Sequence, residues 1–151
     1  MAQIIFHMVF SFLSSISFAI ISNVPRKSLF TGGFVGMLGW MGYWGLSSQG
    51  YGVLVSSVVC SLLLALFGHM AARIFKMPLT VFYVPGLVPI VPGITAFEAF
   101  RQLSLHNYEA AGIGFLNVGY SAIGIACGLV ISDIVFRSGM YVYNGFRSKF
   151  L

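Results

Sequence analysis

The residues of this chain best suited to chemistry lie in one short run, Pro85-Gly86-Leu87-Val88-Pro89-Ile90-Val91-Pro92-Gly93-Ile94-Thr95, followed by Glu98 and Arg101. Each proline removes a backbone donor and crowds the carbonyl four residues earlier, at about 3 kcal/mol in a helix interior. Pro85, Gly86, Pro89, Pro92 and Gly93 together are incompatible with a regular helix. Inside a membrane such a break persists only where protein or a watery cavity satisfies its polar groups. Free carbonyls and helix ends at that depth hold ions and polar solutes in transporters. The run therefore reads either as a solute path or as a structural kink.

Beyond the break, Thr95-Ala96-Phe97-Glu98 fits a capping box that opens a short helix over about 95–107. The positive end of that helix would follow Pro92-Gly93 directly and suit a carboxylate. Glu98 then has two readings, as a cap or as an ionisable group that carries a proton or holds a substrate ammonium. Arg101 is one turn away and placed to pair with it. Asp133 precedes Arg137 by four residues and reads as a local ion pair or as a coupling group. Asn23 closes the first apolar run, as a turn residue or a functional one. Glu109 reads as the cap of the last span. His7, His69 and His106 share no metal-ligand spacing and read as packing or interface residues. Cys60 and Cys127 lie in separate apolar runs without CxxC or Cys/His spacing and read as small buried hydrophobes, with neither zinc nor a disulfide framework implied.

The elements that must position these groups follow from composition. Of 151 residues, 58% are hydrophobic and 7% charged, against roughly 25% charged in an average soluble domain. With a mean hydropathy of +0.94 the chain cannot cover its apolar surface with polar groups in water. The net charge of +5 comes from 8 scattered Lys and Arg, which disfavours a nucleic-acid binder. No phosphate-cradling glycine motif occurs, so no cofactor is expected, and no metal site is expected either.

The expected fold is a single all-α integral-membrane domain over 1–151, with five spans at about 2–22, 29–46, 53–72, 77–93 and 110–136. The fourth is the one broken by Pro and Gly. Met77–Phe97 carries no charge and as helix would extend about 31 Å, enough to cross about 30 Å of hydrocarbon. Basic residues choose the orientation. With five crossings and the N-terminus outside, seven of the 8 Lys and Arg are cytoplasmic and only Arg101 is outside. A re-entrant fourth segment gives five to three, so the full crossing is preferred. The first basic residues, Arg26 and Lys27, follow the first apolar run, which suits an uncleaved span. Trp40, Tyr43, Trp44 and Tyr51 mark the outer interface, and the tail from Met140, with Arg147 and Lys149, is expected along the cytoplasmic surface.

Glycines dominate the second span. Gly33, Gly36, Gly39, Gly42 and Gly45 recur every third residue and drift around a 3.6-residue helix as a winding groove. Gly124, Gly128 and Ser132 repeat at intervals of four in the fifth span. Helix packing, within the chain or between copies, is the plainer reading, and a glycine-lined path the other.

In order along the chain, FAIISNVPRK (Phe18–Lys27), GMLGW (Gly36–Trp40), MPLTVF (Met77–Phe82) and PGLVPIVPGITAFEAF (Pro85–Phe100) resemble the small membrane component of the threonine/serine exporter family. The resemblance covers nearly the whole chain. It implies export of small hydroxy amino acids or related small carboxylates across the plasma membrane, driven by an ion gradient. It also implies a larger membrane subunit of the same family as companion, since some members fuse both halves behind a soluble hydrolase-like extension that this sequence does not show. Two five-span units in tandem would form an inverted repeat with a midplane site.

The expected site comprises Pro85, Gly86, Pro89, Pro92, Gly93, Thr95 and Glu98, with Asp133, Asn23 and Arg101 as coupling or gating candidates. A non-transporting scaffold or homo-oligomeric channel joined through the glycine grooves is the competing reading. A membrane enzyme is disfavoured, because only 3 acidic residues exist and no nucleophile–base pair is suitably spaced.

Overall fold

Helix ends in this chain are set by residues that tolerate a left-handed backbone or lack a donor. In the computed structural model, which describes residues 2–147 and side chains through Gly139, α1 spans Ala2–Ile21. Asn23 follows at φ 55°, its N–H donating to the Ile20 carbonyl while the Val24 N–H donates to Ala19. This left-handed cap, stopped by Pro25, is the turn role for Asn23. It leads into α2 (Arg26–Ser47), which takes Arg26 and Lys27 into its first turn. A turn at Gly50 (φ 86°) precedes α3 (Val53–Phe75), and Lys76 caps α3 at φ 52°.

Three short or long surprises follow. The fourth segment is helical only over α4 (Thr80–Leu87), eight residues rather than the expected 77–93. Pro85 and Gly86 sit inside that helix, so the break is confined to residues 88–92. Next, α5 (Gly93–Ser104) starts two residues before Thr95 with Pro92 at its N-cap. Finally α6 runs over Tyr108–Arg147, 40 residues and about 60 Å, so the backbone expected as a surface tail continues the helix. Lys149 lies outside the described residues, as do the side chains of Met140–Arg147. Asn107, not Glu109, caps α6, accepting from the Ala110 N–H at 3.4 Å.

The described residues are all-helical, in six helices. Three, α1, α3 and α6, are long and apolar enough to cross a membrane. They pack as a row, α1–α2–α3–α6–α5, with α4 wedged against α1, α2 and α3. Centrally placed α3 has 44% of its most apolar window buried, against 17% for α1 and 22% for α6. α1 and α6 thus present apolar faces outward, as a lipid surrounding requires. Val35, Cys60, Leu64, Phe82 and Ile90 form the core around α3. Cys60 is buried as expected, whereas Cys127 is exposed on α6.

The glycine groove is used for packing inside the chain. A Cβ at Gly33 would meet Ile16 and Phe12 of α1, one at Gly36 would meet Ser15 of α1 and the Gly86 backbone, and one at Gly39 would meet Leu64 of α3. Steps of three therefore turn the contact from α1 through α4 to α3. The Gly124 and Gly128 positions seat α6 against Ser57, Val58 and Ser61 of α3 in the same way. Ser61 Oγ, bonded to the Ser57 carbonyl at 2.7 Å, also reaches the Gly124 carbonyl at 3.4 Å.

Candidate functional site

The backbone between α4 and α5 loses its ladder because two prolines contribute no donor. Ile90 and Val91 N–H both turn back to the Leu87 carbonyl, and Gly93 N–H donates to Val91 at 2.7 Å. Among the described residues, the carbonyls of Pro89 and Ile90 accept no backbone hydrogen bond, and the amides of Ile94 and Thr95 donate to none. Among the described residues no side chain caps α5. These unpaired backbone groups are gathered at one interrupted turn, and those of a helix start carry positive partial charge.

These groups border a cavity of about 320 Å³ lined by Pro89, Pro92, Gly93 and Thr95, with Trp40 and Tyr43 of α2 and Asn117 and Ser121 of α6 among the other walls. Trp40 and Tyr43 stack with ring centroids 5.5 Å apart, and Trp40 Nε1 donates to His7 Nδ1 of α1 at 3.4 Å. One wall is therefore flat and aromatic. The other walls include a helix N-terminus, an amide side chain and hydroxyls, a combination suited to a small solute with a carboxylate and a polar side group.

Not every expected site residue is there. Pro85 and Gly86 are buried against α2 and α3, where Gly86 passes Gly36 and Leu64, and they do not line the cavity. The capping box is not formed. Glu98 instead accepts from Arg101 at 3.0 and 3.1 Å and from Gln102 at 2.8 Å, on the exposed side of α5. The Gln102 bond, then Arg101, holds its carboxyl below the usual range. Its pairing with Arg101 is the one anticipated from spacing. Asn23 lies at the α1–α2 turn.

Asp133 pairs with Arg137 at 2.8 Å, but it also faces His69 at 3.6 Å, a neighbour that spacing along the chain could not supply. Asn117 and Ser121, one helical turn apart on α6, were likewise overlooked. Their signal was two polar residues four apart in an apolar span.

A family model described as threonine/serine exporter, ThrE, matches residues 7–135 of the chain. No solved structure matches it. The matched stretch contains all the cavity walls named above and ends two residues beyond Asp133.

Proposed function

The chain belongs to the threonine/serine exporter family, and from that premise we propose that it is a subunit of a secondary transporter exporting threonine, serine or related small carboxylates across the plasma membrane. The cavity between α2, α5 and α6 is its substrate site. The observation that carries this reading is the pair of unpaired amides, Ile94 and Thr95, at an uncapped helix start bordering that cavity. An anion there gains up to about 2 kcal/mol from the helix end when partly buried. Asn117 and Ser121 offer partners for an ammonium or hydroxyl, Thr95 adds a second hydroxyl, and Trp40 and Tyr43 give the cavity an aromatic wall.

Five crossings with the N-terminus outside remain the arrangement that the basic residues favour. α1, α3 and α6 cross by length and apolarity, α2 by length, and the fourth crossing runs through α4, the turn at 88–92 and the start of α5. A larger membrane subunit of the same family covers the open faces and supplies the second half of an inverted repeat. Asp133 is the coupling group, since it lies deep within α6 whereas the other carboxylate of that helix, Glu109, sits in its first turn, while Glu98 and Arg101 serve α5 and Asn23 the α1–α2 turn.

The test is an export assay in cells loaded with a threonine-containing dipeptide, with and without this chain and its companion. Export that requires both, and saturates, supports the reading. Unsaturable leak, or export indifferent to the chain, supports the scaffold or channel instead.

A further inference from the structure

At the other end of α3 lies a polar cluster that the cavity does not use. His69 is 8% exposed and lies flat on Phe136, ring centroids 4.2 Å apart. Its Nε2 stops 3.6 Å from Asp133 Oδ1, beyond hydrogen-bond reach, and has no other partner among the described residues. The Tyr83 hydroxyl of α4 is buried and, among the described residues, equally unpartnered, and its ring stands edge-on to His69 at 6.0 Å. The groups facing the imidazole are Asp133 and Arg137 from α6, Tyr83 from α4, and Arg73 from α3 itself, whose guanidinium lies 5.9 Å over the Phe136 ring. A cavity of about 280 Å³ opens beside Tyr83 and Asp133.

An orphaned buried polar atom loses its hydration without compensation, so two in one cluster call for a state that satisfies them. With its proton on Nδ1, a neutral His69 turns a bare lone pair toward a carboxylate, which accounts for the 3.6 Å gap. A proton added at Nε2 converts that lone pair into a donor aimed at Asp133 Oδ1, in competition with Arg137 for the same carboxylate.

We propose that His69, Asp133 and Tyr83 form a proton-binding site that latches α3, α4 and α6 together, sixteen residues and about 24 Å along α3 from Val53 at the substrate cavity. The step is an association: a solvent proton bonds to the Nε2 lone pair, and the same N–H bond breaks when the proton leaves through the 280 Å³ cavity. Tyr83 ties the event to the transport break, because its helix ends at Leu87, whose carbonyl anchors the turn beyond. The coupling role of this site rests on the transport reading; its existence does not.

Two measurements separate these. In a His7→Gln, His106→Gln background, His69 is the sole histidine, and its reaction with diethyl pyrocarbonate requires the unprotonated ring nitrogen. Followed against pH on the full chain in membranes, the rate should show one inflection whose midpoint moves when Asp133→Asn is added. No inflection, or an unmoved midpoint, overturns the site whether or not the chain transports anything. In proteoliposomes with the companion subunit, His69→Gln and Tyr83→Phe should each lower the ratio of pH-gradient-driven net transport to threonine exchange, at least tenfold for His69→Gln. An unchanged ratio overturns the coupling role. Absence of exchange by the wild type would instead fault the transport reading, and the chemical titration would still decide the site.

Discussion

Asn117 and Ser121 border the cavity with side chains that can be altered without touching the backbone of the break. Losing one hydrogen bond to a charged group costs about 1.5–3 kcal/mol. Asn117→Leu should therefore lower transport about tenfold or more with unchanged membrane abundance, read as initial export rate against immunodetected protein. Glu98 should behave differently. Its exposed carboxylate serves Gln102 and Arg101 within α5, so Glu98→Gln should leave export within about twofold. Because its folded pKa is depressed, its stabilisation is present above the unfolded value near 4.5 and is lost as pH falls through the lower folded one. Hydrogen exchange of α5 amides should accelerate over that acid range in the wild type and not in Glu98→Gln. Spacing alone disclosed the Glu98–Arg101 and Asp133–Arg137 pairs, since helix geometry brings i+3 and i+4 residues together. It did not disclose His69 opposite Asp133, because contacts between α3 and α6 depend on how helices are rotated against each other.

Packing between helices makes the glycines unequal. A Cβ at Gly128 would press on the Val58 carbonyl and Ser61, backbone and side chain of a neighbouring helix, whereas one at Gly119 meets nothing within 4 Å. Gly128→Ala should destabilise the folded chain by about 1–3 kcal/mol in detergent unfolding, while Gly119→Ala is neutral or slightly stabilising. Pro89→Ala with Pro92→Ala restores two backbone donors and should let α4 run into α5, abolishing transport with insertion retained. A double variant that still exports at the wild-type rate would show that the break is only a kink. The drifting glycine stripe and the location of the break could be read from residue types. The extent of α4 could not. Pro85 joins a helix that Gly86 and Gly36 let pack closely, so tertiary contact outweighs the proline's local cost. Nor could the capping box be told from an uncapped start, because Pro92 begins the helix early enough to carry Thr95 past the cap position.

As a unit the chain is an open row of helices, with α1 and α6 at arm's length and large apolar side chains such as Ile21, Ile74 and Val130 facing outward. Such a row suits a lipid surrounding, and its open faces are the ones that the proposed companion would cover. Single cysteines introduced near Asn23 and near Gly50, in a Cys127→Ser background, should label from the cytoplasmic and outer sides respectively, with buried Cys60 silent. Labelling of both from one side would refute the five-crossing arrangement. Membrane residence was legible from composition, since so few charges cannot solvate so much apolar surface, but which helices flank the break required the fold. Substrate protection at the cavity is the decisive experiment. With Ser121→Cys as the reactive thiol in that background and the companion present, threonine should slow maleimide labelling severalfold, and threoninol, which lacks the carboxylate, should not. Labelling as fast with threonine as without it, or equal protection by threoninol, would contradict a site built on the free amides after Pro92-Gly93.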